Sequence, residues 1–352
     1  MPGHTVVTGC AGFIGSSLCD RLLADGRTVV GIDSFEDYYP RTFKEANLAA
    51  ARMESRFTLV EANILDLAEG RDAHPPLAEL LTGADCVYHL AAQAGVRASW
   101  GTSFEVYARN NVLATQQLLE ACVAAGVPKV VYASSSSVYG DAQVLPLVET
   151  ARCQPRSPYG VTKLAGEHLC WLYQVSHALD TVALRLFTVY GPRQRPDMAF
   201  HKFIRALLDG REIAIYGDGT QTRDFTYVGD IVEAFVRARR APAGAVMNVG
   251  GGHRVSLSDA IATLGEIIGV EPKVVARGKQ PGDVRDTWAD ISRAEELMGY
   301  APTTSLPTGL AQEVRWLREQ AVGEWTPADL RAEPPSRSSL GETIRSSRPD
   351  GR

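Results

Sequence analysis

Three features are scarce in this sequence: paired cysteines, long apolar runs and excess positive charge. The six cysteines are scattered and form no Cys-x-x-Cys pair, which argues against a disulfide scaffold or structural zinc. No apolar run approaches the roughly 18 residues of a membrane-spanning helix. A net charge of −5, from 36 basic and 41 acidic side chains, gives no bulk attraction for nucleic acids or anionic lipids. We therefore expect no metal, nucleic-acid or membrane partner, and the lack of a leader-like start favours a cytoplasmic protein.

The chain has enough residues, 352, for about two domains, and its 45% hydrophobic and 22% charged residues are typical of a globular protein. In the first half, short β-branched runs alternate with longer amphipathic stretches, which predicts a parallel sheet covered by helices on both faces. The predicted strands are Thr5–Thr8, Thr28–Ile32, Phe57–Glu61, Cys86–Leu90, Lys129–Ala133 and Thr181–Phe187, and the predicted helices are Gly15–Ala24, Asn110–Ala125, Tyr159–His177, Phe203–Leu208, Asp230–Arg239, Ser258–Ile268 and Leu306–Glu319.

The pattern divides the chain into three parts. Residues 1–190 are predicted to form a doubly wound parallel sheet, with strand and helix contributions from later segments. Residues 191–320, which carry shorter elements and more Gly and Pro, are predicted to form a smaller α/β lobe over the strand ends. Residues 332–352 are rich in Ser, Pro and Arg and lack apolar periodicity, so we expect a flexible tail there.

A glycine-rich turn follows the first predicted strand. Gly9, Gly12 and Gly15 recur at a spacing of three between that strand and the next predicted helix. The first glycine permits a tight turn, the second lets the backbone approach a pyrophosphate, and the third lets the helix pack closely against the strand. The start of that helix, with Phe13 and Ile14, then faces the phosphates. The turn therefore predicts a dinucleotide-binding site.

Asp33, at the end of the second predicted strand, selects among dinucleotides. It lies about twenty residues after the glycine turn, where an acidic side chain accepts hydrogen bonds from both ribose hydroxyls and repels a 2′-phosphate. The predicted cofactor is therefore NAD rather than NADP. Two later strand ends supply candidate walls of the same site, namely Asn63 and Ile64 beside the adenine, and Leu90, Ala91, Ala92 and Gln93 along the dinucleotide.

Tyr159 and Lys163 are the strongest catalytic candidates. Their spacing of four places both side chains on one face of a helix. A phenol with a pKa of about 10 is a poor base at neutral pH, but an adjacent ammonium group and a nicotinamide cation favour the phenolate. A serine cluster at 134–137 follows the fifth predicted strand and offers a hydroxyl to the same substrate oxygen. Next to a dinucleotide loop, this pair predicts a base that works with the cofactor.

With these motifs the chain resembles the extended short-chain dehydrogenase/reductase family, specifically its nucleotide-sugar epimerases and dehydratases. The resemblance spans about residues 4–320 and rests on TGCAGFIG, HLAAQAGVR, YASSSSVYG, SPYGVTK, LRLFTVYGPRQRPDMAF and YGDGTQTRDFTYVGD. It implies a Rossmann domain that binds NAD and a smaller lobe that binds a nucleotide sugar. By this resemblance Tyr159 is the general base, Lys163 modulates its pKa and contacts the ribose, and Ser135 positions the sugar. Asn110 matches a helix residue that supports the cofactor.

The serine cluster separates the reactions of that family. The related 4,6-dehydratases carry Asp-Glu before Val-Tyr-Gly, where this chain has Ser136 and Ser137. The related UDP-glucuronate decarboxylases usually carry Glu at the position of Ser137. The resemblance therefore implies simple removal and return of a hydride, which is epimerase chemistry, with Ser136 as a further substrate contact.

An arginine-rich segment is the candidate receptor for the sugar. Residues 188–199 resemble the segment typical of UDP-glucuronate 4-epimerases, in which an arginine of an Arg-Pro-Asp-Met run approaches the sugar carboxylate. Arg195 holds that place here, and its guanidinium fork matches the two oxygens of a carboxylate. Thr188 is expected to add a neutral hydrogen bond. The family often has Trp-Gly where this chain has Arg193 and Gln194, which leaves Arg193 open as an alternative.

The smaller lobe contains the candidates for the nucleotide. Tyr216 is expected along the uracil, and Gln221 lies in the same segment. Arg223 and Arg285 are expected at the diphosphate, because two anionic phosphates need cationic partners. Arg97, just after the cofactor wall, is a further substrate candidate.

The resemblance as a whole implies a 4-epimerase that interconverts UDP-glucuronate and UDP-galacturonate through a transient 4-keto sugar, with tightly bound NAD. A 4-epimerase of neutral UDP-sugars, such as UDP-glucose or UDP-N-acetylglucosamine, is the alternative. A UDP-glucuronate decarboxylase and a non-catalytic NAD-binding regulator are less favoured. The predicted helices Asn110–Ala125 and Tyr159–His177 match those of a four-helix dimer interface in this family, so we expect a homodimer.

Overall fold

The β-branched runs of the sequence become strands of a parallel sheet. The computed structural model describes residues 3–141, 143–278 and 282–320, so the tail predicted at 332–352 lies outside the described residues. In chain order the strands are β1 (His4–Thr8), β2 (Thr28–Asp33), β3 (Phe57–Glu61), β4 (Ala84–His89), β5 (Val130–Ser135), β6 (Thr181–Leu186), β7 (Thr188–Tyr190), β8 (Ile213–Tyr216), β9 (Thr222–Arg223), β10 (Phe225–Tyr227), β11 (Val246–Val249), β12 (Val255–Ser256) and β13 (Val274–Arg277).

Helices connect most of these strands. In chain order they are α1 (Phe13–Ala24), α2 (Arg41–Asn47), α3 (Ile64–Ala68), α4 (Leu77–Leu81), α5 (Phe104–Tyr107), α6 (Ala114–Ala125), α7 (Pro158–His177), α8 (Ala199–Leu208), α9 (Val228–Ala238), α10 (Leu257–Ile268), α11 (Ser292–Met298) and α12 (Leu306–Gln320). In the described ranges no helix is both long and apolar enough to cross a membrane.

In the described residues, seven strands form the main sheet in the order β3-β2-β1-β4-β5-β6-β11, and every neighbouring pair is parallel. The order reverses between β1 and β4, which is the switch point of a doubly wound, Rossmann-type sheet. Ligands of such sheets bind in the crevice beyond the carboxyl ends of the strands at that point. The predicted fold class is confirmed.

The strands are apolar on both faces because helices cover both. On β1, Val7 lies in a buried cluster with Leu18 of α1 and Phe235 of α9. The neighbouring Val6 points to the other face and lies in a cluster with Leu118 of α6. Alternate residues of one strand are thus buried under different helices, as expected for a parallel sheet.

The later part of the chain forms a smaller layer with its own core. Its strands pair as β7 with β10, β8 with β13 and β9 with β12. Helices α8, α10 and α12 pack together there through Phe203, Leu264 and Leu310. Two elements of the same part of the chain contribute instead to the main sheet, since β11 is one of its strands and α9 packs on one of its faces.

One predicted helix differs in the structure. Asn110–Ala125 was expected to be continuous, but a π-helical segment, Ala108–Leu113, stands between α5 and α6. The wider turn directs neighbouring side chains to different places, because Asn110 lines a cavity while Asn111 is buried against Gln93 and Thr162. Single-turn π segments occur frequently at functional sites.

Candidate cofactor and sugar site

A cavity lies at the carboxyl ends of β1, β2, β4, β5 and β6. The residues that follow or end these strands, among them Gly9, Asp33 and Leu90, line it. The structure brings every predicted cofactor residue to this one cavity: Gly9, Gly12, Phe13, Ile14, Gly15, Asp33, Asn63, Ile64, Leu90, Ala91, Ala92, Gln93, Asn110, Tyr159 and Lys163.

The glycine turn leaves no room for larger residues. Gly9 has φ +71°, and a Cβ atom there would lie 2.8 Å from the backbone nitrogen of Ala91. A Cβ atom at Gly15 would overlap the carbonyl oxygen of Gly9. Helix α1 begins at Phe13 after Gly12, which has no side chain to cap it. The first backbone N–H groups of the helix therefore remain for an anionic ligand, as a pyrophosphate site requires.

Asp33 is held in place by the backbone of two loops. Its Oδ2 accepts a hydrogen bond from the backbone nitrogen of Ala11 at 3.0 Å, and its Oδ1 accepts one from Phe35 at 2.8 Å. A carboxylate has about four acceptor positions, so two remain for ribose hydroxyls. Asn63 is engaged differently from the prediction, because its Oδ1 caps α3 by accepting from the backbone nitrogen of Leu65 at 2.9 Å. The side-chain amide of Asn63 therefore stabilises the start of α3, and the residue also lines the cavity.

Tyr159 and Lys163 enter the cavity from the first turns of α7. Ser157 begins this helix, because its Oγ accepts from the backbone nitrogen of Gly160 at 3.1 Å. Burial lowers the pKa of Lys163 to about 8, and its Nζ donates to the carbonyl oxygen of Ala133 at 2.9 Å. The ammonium group is therefore fixed by strand β5.

Burial raises the pKa of the Tyr159 phenol, and two neighbours oppose this effect. The larger is the positive charge of Arg195, and the smaller is a hydrogen bond with Ser135. The spacing of four residues predicts that Lys163 supplies this opposing charge. In the structure the cation that lowers the pKa of Tyr159 is Arg195, whereas Lys163 donates to the backbone of β5.

The arginine-rich segment places its two candidates differently. Arg195 lines the cavity, and its Nε and Nη2 donate to the two carboxylate oxygens of Asp197 at 2.9 and 3.0 Å. Its guanidinium carbon lies 5.6 Å from the ring centre of Tyr38. Arg193 has φ +71° and donates through Nη2 to Asp20 of α1 at 2.6 Å. Of the two alternatives, Arg195 is the one that lines the cavity.

Asp197 stays ionised beside this arginine. Burial alone would raise the pKa of the carboxyl group, but the charge and hydrogen bonds of Arg195 outweigh burial, so the pKa of Asp197 lies below its usual value. A substrate carboxylate at Arg195 would therefore share a guanidinium group that already has a counter-ion.

The four predicted nucleotide residues gather with the substrate candidate Arg97 in a separate group. The guanidinium carbon of Arg97 lies 4.3 Å from the ring centre of Tyr216, and Gln221 donates to the carbonyl oxygen of Tyr216 at 2.7 Å. Arg97 also pairs with Asp283 at 2.6 Å. A ring already covered by a guanidinium group has one face left for a base.

Arg223 of β9 and Arg285, in the segment between β13 and α11, complete this group. Arg223 donates through Nη1 to the carbonyl oxygen of Arg285 and through Nη2 to that of Val284, both at 2.7 Å. Arg285 is exposed and lies 3.4 Å from the hydroxyl of Thr220. Arg223 therefore shapes the segment that carries Arg285, and Arg285 is the more accessible cation.

Three predicted residues follow cavity-lining residues closely in the sequence but do not line the cavity in the described ranges: Ser135, Ser136 and Thr188. Ser135 ends β5 and accepts from the backbone nitrogen of Ser137 at 3.1 Å, while Ser136 begins a short 3-10 turn. Thr188 begins β7, and its backbone nitrogen donates to the carbonyl oxygen of Asp224 at 3.1 Å.

Several lining residues were not predicted. Tyr38, Tyr39 and Lys44 follow β2 and line the cavity, as does Ser134. The aromatic pair shortly after Asp33 was the available signal. Lys44 is buried, and its Nζ donates to the carbonyl oxygen of Glu36 at 2.7 Å.

A chain of buried hydrogen bonds connects the glycine turn to the helix beside it. The hydroxyl of Thr8 accepts from the backbone nitrogen of Ala91 at 3.2 Å and donates to Nδ1 of His89, 2.8 Å away, because the ring proton of His89 lies on Nε2. Nε2 of His89 then donates to Oγ1 of Thr115 at 2.9 Å, because Thr115 gives its own hydrogen to the carbonyl oxygen of Asn111 at 2.7 Å. Burial lowers the pKa of His89 to about 3, so the ring is neutral, as this arrangement requires.

Asn111 extends the chain to α7. Its Oδ1 accepts from the backbone nitrogen of Gln93 at 2.7 Å, and its Nδ2 donates to the carbonyl oxygen of Gln93 at 3.0 Å. The same Nδ2 donates to Oγ1 of Thr162 at 2.9 Å, and Thr162 donates to the carbonyl oxygen of Tyr159 at 2.8 Å. Sequence reasoning selected Asn110 and missed its neighbour. The Asn-Asn doublet was the only signal.

Comparison with known proteins agrees with this geometry. The chain is 44% identical over 322 residues to a protein of Bacillus subtilis (strain 168) named as an uncharacterized UDP-glucose epimerase, covering 91% of this chain and 99% of that protein. It is 37% identical over 319 residues to a UDP-glucuronate 4-epimerase of Thermodesulfobacterium geofontis (strain OPF15), covering 90% of this chain and 97% of that protein.

A similar solved structure is the UDP-glucuronic acid 4-epimerase of Bacillus cereus in complex with UDP-glucuronic acid and NAD. It has a TM-score of 0.85 and 44% sequence identity, and the match covers 90% of this chain and 99% of that one. The profile of the NAD dependent epimerase/dehydratase family matches residues 5–250. The chain therefore belongs to the NAD dependent epimerase/dehydratase family.

Proposed function

We propose that this protein is a UDP-glucuronate 4-epimerase, which interconverts UDP-glucuronate and UDP-galacturonate. The observation that carries the proposal is Arg195, a guanidinium group that lines the cavity and lowers the pKa of Tyr159. It stands where an acidic sugar would meet both a cation and a base. The relatives named as UDP-glucuronate 4-epimerases support the same substrate.

The cavity fits NAD. The uncapped start of α1 offers N–H groups to a pyrophosphate, and Asp33 keeps acceptor positions for ribose hydroxyls. Lys163 is held by β5 within reach of the same cavity. NAD, when bound there, supplies the hydride acceptor and donor for carbon 4 of the sugar.

Tyr159 is the proposed general base. It removes the proton of the 4-hydroxyl as carbon 4 is oxidised, and it returns a proton after the 4-keto sugar has presented its other face. Arg195 and the hydrogen bond with Ser135 favour the phenolate and oppose the effect of burial. The reaction inverts carbon 4 with no net oxidation.

The 4-keto acid formed on the way is prone to lose carbon dioxide. We propose that Arg195 binds its carboxylate and restrains it in an orientation that disfavours this loss. Ser137, which stands where the related decarboxylases usually carry Glu, is consistent with epimerisation.

Residues 1–190 with α9 and β11 are proposed to bind NAD. The rest of residues 191–320 is proposed to bind the nucleotide sugar.

A neutral UDP-sugar is the second candidate substrate. Asp197 already neutralises Arg195 through two hydrogen bonds, so the sugar end need not have a negatively charged ligand. A relative that is 44% identical is named as a UDP-glucose epimerase. The two candidates differ in one measurable property, which is the preference for a carboxylate at carbon 5.

The test is incubation of the purified protein with UDP-glucuronate, UDP-glucose or UDP-N-acetylglucosamine without added reductant, followed by product identification. UDP-galacturonate as the main product supports the proposal. Faster conversion of a neutral sugar, or release of carbon dioxide with a pentose product, contradicts it.

Two variants connect the activity to the site. Tyr159→Phe should abolish turnover and leave NAD bound. Tyr107→Phe is its control, because that ring lies 6.3 Å from Tyr159 and its hydroxyl donates to the backbone carbonyl oxygens of Ala94 and Gly95. Arg195→Ala should impair UDP-glucuronate far more than UDP-glucose. Equal losses would show that Arg195 is not the carboxylate receptor.

We also propose a homodimer formed through α6 and α7. Trp171 and Val175 of α7 are 60% and 57% exposed, and Leu172 lies beside them, which makes an apolar face on this helix. Light scattering should give the dimer mass, and Trp171→Glu should shift it to the monomer. A cytoplasmic location is proposed as well, because all six cysteines are free and five of them are buried.

A further inference from the structure

A second cavity opens at the amino-terminal ends of the main-sheet strands, opposite the cofactor cavity. Its lining includes five arginines and one tyrosine, which we call the arginine cavity: Arg21, Arg27, Tyr88, Arg237, Arg239 and Arg240. Arg27 directly precedes β2, so this cavity lies at the amino ends of the parallel strands, whereas the cofactor cavity lies at their carboxyl ends. It is therefore separate from the proposed sugar site.

One carboxylate oxygen serves two of the arginines. Oδ2 of Asp85 accepts from Nη1 of Arg27 at 3.0 Å and from Nη2 of Arg239 at 2.9 Å. The other oxygen of Asp85 accepts from the hydroxyl of Thr5 at 2.9 Å. A single negative charge thus faces two guanidinium groups, and one positive charge remains unbalanced.

The other ion pairs do not remove the excess. Arg21 pairs with both Asp25 and Glu233. Arg237 donates through Nη1 to a neutral group, the carbonyl oxygen of Gly299, at 2.8 Å. Including Arg240, five guanidinium groups at the cavity face the three carboxylates of these pairs, which leaves two positive charges.

The arginine cavity has the size and the walls of a ligand site. Its volume of ≈ 340 Å³ is enough for a small polyatomic anion. Its cations come from α1, from the segment before β2 and from the end of α9, so they converge from separate elements rather than from one flexible loop. The side chain of Tyr88, buried on β4, forms part of the wall.

We propose that the arginine cavity binds a small anion that carries a phosphate group. Guanidinium forks match phosphate oxygens with paired, charge-assisted hydrogen bonds, and an anion there would neutralise the two excess charges. A doubly charged phosphate group fits that excess better than a single carboxylate does.

The test is calorimetric titration of the full-length, NAD-loaded protein with pyrophosphate, because bound NAD occupies the proposed pyrophosphate site at the start of α1. An Arg223→Gln background removes a competing cation of the proposed diphosphate group, and the titration should still show one site per chain. Arg240→Gln breaks none of the ion pairs described above, and Arg239→Gln leaves Arg27 on Asp85. Each should weaken binding about tenfold or more, because a hydrogen bond to a charged group is lost.

Controls keep the result interpretable. Thermal unfolding of the Arg240→Gln protein should match that of the parent, which shows that the fold is intact. The absence of pyrophosphate binding in the Arg223→Gln protein would overturn the proposal, as would binding that Arg239→Gln and Arg240→Gln leave unchanged. A parallel titration with AMP identifies the source of the phosphate. AMP binding that is weakened by Arg240→Gln assigns the cavity to nucleotides, and sensitivity of pyrophosphate alone assigns it to free phosphates.

Discussion

Replacement of Asn111 by leucine tests the buried hydrogen-bond chain directly. Asn111 is 1% exposed and makes three hydrogen bonds through its side chain, two with the backbone of Gln93 at 2.7 and 3.0 Å and one with Thr162 at 2.9 Å. Leucine has the same branched heavy-atom skeleton but makes none of these bonds. The substitution therefore removes the polar contacts and keeps the branching of the side chain.

The expected loss follows from the groups that are left without a partner. The backbone N–H and C=O of Gln93 each lose a hydrogen bond, at about 1–3 kcal/mol for each group. Thr162 retains its bond to the carbonyl oxygen of Tyr159 and adds little. Because Gln93 is only partly buried, we expect a total near the lower end, about 3 kcal/mol. That is a large part of the about 5–15 kcal/mol by which a folded domain is stable.

The assay is urea unfolding of the wild type, Asn111→Leu and Asn110→Leu. Asn110 is the matched control, because it is the same residue type one position earlier and lines the cofactor cavity instead. Asn110→Leu should change the free energy of unfolding by less than about 1 kcal/mol and should weaken NAD binding. A loss below about 1 kcal/mol in Asn111→Leu, or equal losses in both variants, would refute the reasoning.

Three further predictions concern other buried positions. Burial lowers the pKa of Lys163 from 10.5 to about 8, so between these pH values the unfolded chain binds more protons and the free energy of unfolding rises with pH. In the cofactor-free protein, Lys163→Met should remove most of this rise, on the order of 3 kcal/mol, as measured by urea unfolding at several pH values. An unchanged pH dependence would contradict this prediction. Arg185→Met should cost about 3–5 kcal/mol, because Glu167, itself buried, loses a partner at 2.8 Å; the double variant with Glu167→Met should recover most of the loss. Gly15→Ala should weaken NAD binding strongly, whereas Gly278→Ala, where an added Cβ has no neighbour within 4 Å among the described residues, should not.

The cofactor half of the site was predictable because its signals are local. Gly9, Gly15 and Asp33 lie within one strand-turn-helix-strand unit, so their spacing alone determines where they meet. The pair Tyr159 and Lys163 lies on one helix, where a spacing of four has a single geometric meaning. Short-range patterns of this kind do not depend on the rest of the fold.

The sugar half depended on contacts between distant segments. Nothing near Arg193 in the sequence indicates that it pairs with Asp20, a residue 173 positions away. Once Arg193 is held there, Arg195 is the arginine that reaches the cavity. The charge that lowers the pKa of Tyr159 is likewise a tertiary effect. Lys163 is closer to Tyr159 in the sequence, but the charge that acts on the phenol is that of Arg195.

The π-helical segment was also beyond sequence reasoning. Its register depends on whether Asn111 gains more from bonds to Gln93 and Thr162 than a regular helix gains from its own ladder. Periodicity over 110–125 is equally compatible with both, so it predicted a continuous helix.

The seventh strand of the main sheet has a consequence for how such proteins can be recombined. Strand β11 pairs with β6, and α9 packs with α1, although both elements follow the first segments of the smaller layer in the chain. A fragment ending at residue 190 would expose the edge of β6 and uncover one face of the sheet. A single crossover there between two relatives would exchange part of the cofactor half together with the sugar half. Transfer of sugar specificity alone therefore needs three junctions, one near residue 190 and one on each side of the α9–β11 segment.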